Sequence, residues 1–113
     1  MTISFGKLFQ PVALTTSIAA VFGVPSSPST SLLRNGRVRL NNTSASAVAV
    51  YLYAVPTGLG AGAANAFVSN YSIAAYSAYE VDVPQLQAGD ILSGSAGTGG
   101  VVNIHAMDGV LQS

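Results

Sequence analysis

Apolar and polar residues alternate with a period of two along most of this chain, and that period is typical of β-strands. In the range 47–55 the odd-numbered residues fall on one face and the even-numbered residues on the other. Both faces are apolar, which predicts a central strand that is covered on both sides, by a second sheet or by a neighbouring subunit. In Arg37-Val38-Arg39-Leu40 only one face is apolar, which predicts a strand whose arginines point outward.

Short runs of the same alternating kind recur, separated by turn-forming residues such as those at 56–58 and 88–90. We predict them as strands over Leu8–Leu14, Ile18–Val24, Ala66–Ile73, Ala78–Val83, Asp90–Ser95 and Val101–Met107. Asn35-Gly36 indicates a two-residue hairpin, and a bulge inside one long strand is the alternative. About eight strands, spaced roughly 8–12 residues apart, predict an all-β, antiparallel, jelly-roll-like β-sandwich.

The length of 113 residues fits one domain, so residues 1–113 are predicted to form a single sandwich. The stretch Pro25–Ser31 is rich in proline and serine, and it can divide an N-terminal part, 1–31, from a sandwich body at 32–113. Under that alternative, Leu8–Leu14 is an arm that reaches onto a neighbouring subunit. The sequence leaves open whether this segment is an arm or a core strand, and whether Gln85–Ala88 forms a short helical turn.

Charge is the unusual feature of the composition. Only 7% of the residues are Asp, Glu, Lys or Arg, against about 25% in ordinary soluble domains. Four basic residues balance four acidic ones, so the chain has no basic footprint for nucleic acid and no polybasic patch for a membrane. A surface with few ions has a small desolvation free energy when a partner protein covers it. We therefore expect an assembly protein.

Two stretches of the sequence resemble a signal peptide or a membrane span, and neither fits. Lys7 precedes an apolar stretch, Leu8–Val24, but Gln10-Pro11 and Thr15-Thr16-Ser17 interrupt it, so we do not expect a signal peptide. The stretch between Arg39 and Glu80 is free of charge, but its glycines, asparagines and Pro56 exclude a transmembrane helix. The absence of cysteine excludes a disulfide scaffold and suits a reducing cytoplasm.

The glycine motif, the single histidine and the carboxylates, which are functional residues in many enzymes, do not form a recognisable catalytic motif in this sequence. Gly58-Leu59-Gly60-Ala61-Gly62-Ala63 has the glycine spacing of a dinucleotide fingerprint, but a predicted strand follows it where the fingerprint needs a helix. His105 is the only histidine, lies on an alternating run, and is expected at the surface or at a subunit interface. Asp90 is expected to cap a turn. We expect no catalytic residue, no cofactor and no metal, and therefore no enzyme.

Two groups of residues are candidates for protein–protein contacts. Three of the four basic residues lie within six positions and can pair with Glu80 and Asp82, within the chain or across an interface, unless they form a solvated edge. Tyrosines are common anchors in interfaces, and without any tryptophan they favour packing over sugar binding. The candidate interface residues are Arg34, Arg37, Arg39, Tyr51, Tyr53, Tyr71, Tyr76 and Tyr79.

Three runs, 37–56, 86–92 and 102–110, resemble small virion proteins of tailed bacteriophages. In those proteins a strand ends in an Asn/Thr/Ser turn, here Asn41-Asn42-Thr43-Ser44, and the next strand runs to a proline loop, here at Pro56. An Ala-Gly-Asp turn, here 88–90, then precedes the last hairpin. The similarity covers roughly residues 32 to 110.

The resemblance implies a capsid decoration (cement) protein or a neck or tail accessory protein, assembled in the bacterial cytoplasm and located on the virion. Its implied partners are further copies of the chain and other virion proteins, such as the major capsid protein. Such families have no catalytic residues to transfer. The alternative function is a receptor- or carbohydrate-binding sandwich of a phage tail or of a secreted protein.

Overall fold

The computed structural model describes residues 3–4, 7–27 and 30–112. Within these residues the strands form two antiparallel sheets, and the only helix is a 3-10 turn at Ala63–Asn65. The predicted all-β sandwich is thereby confirmed. The strands are β1 (Ile3–Ser4), β2 (Val12–Ala13), β3 (Ala19–Gly23), β4 (Leu32–Asn42), β5 (Val48–Val55), β6 (Ala66–Ile73), β7 (Ala78–Val83), β8 (Leu86–Gln87), β9 (Ile91–Ala96) and β10 (Val102–Gln112).

The six-stranded sheet has the order β1-β10-β4-β7, with β2 also beside β10 and β8 also beside β4. The four-stranded sheet has the order β3-β9-β5-β6. The pairs are nested along the chain: β5 pairs with β6, β4 with β7, β3 with β9, and β2 with β10. The chain is therefore one long antiparallel ribbon that turns at β5–β6 and wraps around the core. The contacts of β4 with β10 and of β5 with β9 complete the two sheets.

The core lies between the two sheets, where alternate residues of each strand point inward. Leu40 of β4, Leu52 of β5 and Ile104 of β10 are completely buried. Gly94 faces Leu52 across the β5–β9 pair, and a Cβ at that position would lie 2.8 Å from Leu52 Cδ2. Only a residue without a side chain fits there without displacing the core.

Most predicted strands lie where the alternation places them, and three segments differ in detail. Asn35-Gly36 is the bulge inside one long strand, β4, because Asn35 takes a left-handed φ of 56° and the chain then continues beside β10. Within Leu8–Leu14 only Val12–Ala13 forms a strand, which pairs with β10, and Leu14 belongs to the core. Within the single chain, this segment therefore contributes a short strand and a core residue to the sandwich. Gln85–Ala88 contains the short strand β8 in place of a helical turn.

Pro28 and Ser29, within the predicted boundary at Pro25–Ser31, lie outside the described residues. On either side of them β3 and β4 belong to different sheets of the same sandwich. The described residues therefore contain no division of the core between 7–27 and 30–112.

Asn42, at the end of β4, is a fully buried polar residue that joins three parts of the fold. Its Nδ2 group donates hydrogen bonds to the carbonyl oxygens of Ser46, at 2.8 Å, and Ile73, at 3.0 Å. Its Oδ1 atom accepts hydrogen bonds from the backbone N–H of Ser44, at 3.0 Å, and from the Ser44 hydroxyl, at 2.8 Å. The side chain thus fixes the β4–β5 turn against the end of β6.

We predict that Asn42→Ala lowers the free energy of unfolding by about 3 kcal/mol, because buried backbone groups lose their hydrogen-bond partners. Urea unfolding followed by circular dichroism measures this change. Asn41→Ala is the matched control, since Asn41 precedes Asn42 on the same strand and points to the opposite face; its cost is expected to stay within about 0.5 kcal/mol. Equal losses in the two variants would contradict the role assigned to Asn42.

Candidate interaction surface

Charge is segregated between the two sheets. Six of the eight charged side chains lie on strands of the six-stranded sheet. They are Arg34, Arg37, Arg39, Glu80, Asp82 and Asp108. None of the residues in β3, β5, β6 and β9, which make the whole four-stranded sheet, is charged. The molecule therefore presents one charged outer face and one neutral outer face.

The charged face is organised in rows across β7, β4 and β10. Arg39 lies between Glu80 and His105, and its Nε atom is 3.2 Å from Glu80 Oε2. Arg37 lies between Asp82 and Asp108, and its Nε atom is 3.3 Å from Asp82 Oδ1. Of the alternatives that the sequence left open for these two arginines, the structure shows pairing within the chain.

Arg34 lies apart from these two pairs, at the bulge of β4. Its side chain is exposed and makes no ion pair with any described residue. Together with Arg37, Asp82 and Asp108 it lines a groove that follows the bulges of β4 and β10. The groove has as many acidic as basic side chains in its lining, so it has no net charge to select an ionic ligand.

Tyr51 and Tyr53 of β5 point outward from the four-stranded sheet, in the same cross-strand rows as Ser95 and Ser93 of β9. Both serines are only 6% exposed, although they belong to the outer face. The Tyr51 hydroxyl donates a hydrogen bond to Asn70 Oδ1, at 3.1 Å. The tyrosines and small residues therefore give this face a close-fitting surface without ions, which we call the neutral face.

The other three tyrosines lie at one side of the sandwich, where β6 and β7 face each other. The rings of Tyr71 and Tyr79 stack with their centroids 4.0 Å apart and an interplanar angle of 16°, which joins the two sheets at their edges. Tyr76, in the turn between β6 and β7, is 72% exposed and has a left-handed φ of 56°. An aromatic residue is costly in that conformation, where glycine or asparagine is usual.

The structure thus distributes the eight candidate residues over three places and does not bring them together. The arginines lie on the charged face, two tyrosines on the neutral face, and three at the β6–β7 side. The sequence pattern does not single out the small residues of the neutral face, which include Ala20, Ala49, Ser93 and Ser95. The available signal was the absence of charge from four of the predicted strands.

The residues that carry chemistry in other proteins have the following surroundings here. The glycine loop 58–62 leads through the 3-10 turn into strand β6, so no helix N-terminus follows it to receive a pyrophosphate. His105 Nε2 lies 2.8 Å from Asn103 Oδ1 on the same strand. Within 7–27 and 30–112, no three His, Cys, Asp or Glu residues are grouped to hold a metal ion. Asp90 caps its turn as predicted, accepting a hydrogen bond from the Gln87 N–H at 2.9 Å.

Across the described chain, no helix has the length and hydrophobicity needed to cross a bilayer. Comparison with known proteins yields no matching family model, no matching curated protein and no matching solved structure.

We predict that the Arg39–Glu80 pair contributes about 0.5 kcal/mol to stability, because both side chains are partly exposed and water screens them. A double-mutant cycle with Arg39→Met and Glu80→Gln measures this coupling, which should shrink in about 1 M NaCl. Arg34→Met combined with Glu80→Gln is the control and should show no coupling. A coupling above about 2 kcal/mol, or one that salt leaves unchanged, would contradict the expected screening.

Proposed function

We propose that this chain is a non-enzymatic virion structural protein of a tailed bacteriophage, most consistent with capsid decoration, that stabilises the particle by symmetric packing against proteins. The observation that supports this proposal is the neutral face. An outer face of four strands without one charged residue is unusual, although Tyr53, Ser93 and Ser95 of this face are at most 9% exposed in the single chain. Its burial against a protein removes no ion from water, so little desolvation opposes the contact.

The energetics of such a contact favour a large, flat partner. Each Å² of apolar surface removed from water contributes about 25 cal/mol before the entropy of association is subtracted. Stable interfaces bury about 800 Å² on each partner. Tyr51, which is half-buried, provides rigid aromatic area of the kind that interfaces commonly use as anchors. Tyr53 is only 9% exposed in the single chain and adds little area to such a contact. A lattice of capsid subunits offers a surface of that size and repeats it by symmetry.

The charged face is better suited to remain in contact with water than to be covered by a partner. Arg37 and Arg39 already have carboxylate partners within the chain, and all four side chains remain partly hydrated. Covering this face would remove these ions from water without new partners for them. We therefore propose that the six-stranded sheet faces solvent and the four-stranded sheet faces the particle.

The strand order supports the finer assignment of the fold as a jelly roll. A jelly roll is an eight-stranded, two-sheet arrangement of Greek keys, and it recurs in viral capsid domains and lectins. The nested pairs β5·β6, β4·β7, β3·β9 and β2·β10 give the orders β2-β10-β4-β7 and β3-β9-β5-β6. This order supports the proposal that the ribbon is rolled as in a jelly roll. Because the fold also occurs in lectins, it favours no function by itself.

A second candidate function rests on Tyr76. This exposed aromatic side chain sits at the tip of a turn beside Ser44 and Ser77, whose backbone groups bond within the same cluster of loops. Aromatic rings beside hydroxyl groups also suit a sugar. Under this alternative the chain is a receptor- or carbohydrate-binding module, and a glycan array should detect binding that Tyr76→Ala abolishes.

Adding a charge to the neutral face should weaken association. We predict that the purified chain binds virions from which it has been stripped and that Ala49→Lys, on strand β5 of the neutral face, weakens this binding about tenfold, because a buried lysine loses its hydration. Cosedimentation of the chain with stripped virions over a concentration series measures the effect. Ala78→Lys is the matched control, since it adds the same side chain to an exposed strand position of the charged sheet. A wild-type chain that fails to bind stripped virions, or equal effects of the two variants, would contradict packing through this face.

Location on the particle has its own test. We expect mass spectrometry of density-purified virions, from a phage that encodes this chain, to find it in a fixed ratio to the major capsid protein. The same measurement on particles stripped by chelator or mild denaturant tests whether loss of the chain accompanies loss of shell stability. Virions that lack the chain would contradict the proposed function.

A further inference from the structure

Tyr76 combines two unusual properties. At 72% it is the most exposed of the large hydrophobic side chains in the part of the chain that the structure describes. It also has a left-handed φ of 56°, and among the described residues other than glycine only Asn35 and Asn70 share a positive φ. Asparagine tolerates this backbone conformation, whereas an aromatic residue is strained in it. Both its exposure and its backbone therefore single out Tyr76.

Hydrogen bonds hold the turn in this conformation. The Tyr76 N–H donates to the carbonyl oxygen of Ser44, at 3.2 Å. The Ser77 N–H donates to the carbonyl oxygen of Ala74, at 3.1 Å, and the Ser77 carbonyl oxygen accepts a hydrogen bond from the Asn42 N–H, at 2.9 Å. Because these bonds tie the turn to the end of β4 and to the β4–β5 turn, the fold imposes the positive φ on residue 76.

The side chain of Tyr76 gains little from the rest of the described chain. Its ring stacks on no other described aromatic ring, and its hydroxyl forms no hydrogen bond with a described residue. Asparagine or glycine would avoid the strain and keep the turn. The tyrosine therefore lowers the stability of the single chain, and strained residues of this kind are typical of functional positions.

The turn that carries Tyr76 adjoins the neutral face. It directly follows β6, an edge strand of the four-stranded sheet, and leads into β7 of the other sheet. Its other residues, Ala74, Ala75 and Ser77, carry no charge. A large partner that lies on the neutral face can therefore extend over this turn without removing an ion from water.

The polar side chains beside the turn favour a protein over a sugar as the partner of the ring. The Ser44 hydroxyl lies 2.8 Å from Asn42 Oδ1 and 2.8 Å from the carbonyl oxygen of Ser46. The Ser77 hydroxyl lies 3.4 Å from the carbonyl oxygen of Ala75. These donors are thus occupied within the chain. A sugar needs several polar groups that converge beside the ring, whereas an anchor in a protein interface needs an aromatic side chain and a pocket that excludes water.

We propose that Tyr76 is an anchor residue, whose ring inserts into an apolar pocket of the particle protein that the neutral face contacts. This inference deepens the proposed function and rests on it. The strain is present in the free and in the bound chain, so it lowers stability and not affinity, whereas burial of the ring contributes affinity. The hydrogen bonds of the turn also fix the backbone that presents the ring, so binding loses less conformational entropy.

The test compares two variants that both lack the ring. Tyr76→Asn removes the strain and should raise the equilibrium constant for folding about fivefold, measured by urea unfolding followed by circular dichroism. Tyr76→Ala keeps a strained residue in the turn and should leave that constant within about twofold of the wild type. Both variants should bind stripped virions about tenfold more weakly in cosedimentation, because both lose the buried ring. Tyr76→Phe keeps the ring and should bind within about threefold of the wild type.

Leu59→Asn is the matched control. Leu59 is the next most exposed of the described large hydrophobic residues, at 64%, and its φ is not positive. The same substitution there removes an exposed apolar side chain without relieving strain. It should therefore leave both the equilibrium constant for folding and the binding to stripped virions unchanged.

The outcomes separate this inference from the proposed function. Wild-type binding that Tyr76→Asn leaves unchanged would overturn the anchor and leave packing through the neutral face intact. A wild-type chain that fails to bind stripped virions would overturn the proposed function, and the partner of Tyr76 with it. If Tyr76→Asn does not stabilise the purified chain, the strain argument is wrong whether or not virions bind. Glycan binding or self-association that Tyr76→Asn abolishes, with virion binding unaffected, would assign the ring to a sugar or to a second copy and overturn this inference.

Discussion

The packing of two apolar inner faces against each other determines the rest of this structure. Leu40, Leu52 and Ile104 meet between the sheets with no contact to water, and side chains on a strand alternate strictly between its two faces. A slip of one residue in any pairing would turn a buried row outward, so the core fixes the register of every strand. The outer faces follow as a consequence. The rows of arginine and carboxylate on one sheet, and the rows of tyrosine and serine on the other, occupy the positions that the core leaves to them.

Much of the fold could be predicted from the sequence because its signals are local. Alternation over 47–55 and 78–83 marks the strands, and turn residues such as Asp90 mark their ends. The Leu8–Leu14 segment was ambiguous because its apolar residues look alike whether the core or another molecule covers them. The bulge at Asn35 was ambiguous for a related reason, since Asn-Gly adopts left-handed backbone in hairpins and in bulges alike.

The candidate surface was harder to predict because it depends on which strands become neighbours. Arg39 meets Glu80 and His105 only through the pairing of β4 with β7 and β10, and no local pattern specifies those partners. Tyr79 shows the same difficulty, since it points toward the space between the sheets and stacks on Tyr71. What local sequence does carry is the distribution of charge. The chain has few charged residues, and most of them lie on one side of the molecule. The two faces therefore differ in the free energy that is needed to remove them from water.

The nested order of the strands has a consequence for how such a chain can reach its fold. Residues of β2 and β10 are far apart in sequence, and closing a loop of that length directly is slow, because the chain must sample many conformations first. Once β5 and β6 have formed their hairpin, however, β4 and β7 leave it side by side, and their pairing in turn brings β3 close to β9. Each step then closes only a short gap between segments that are already held together. In this strand order, contacts between residues that are far apart in sequence can form one after another. Each closes a short loop, starting at the β5–β6 hairpin and ending with β2 and β10.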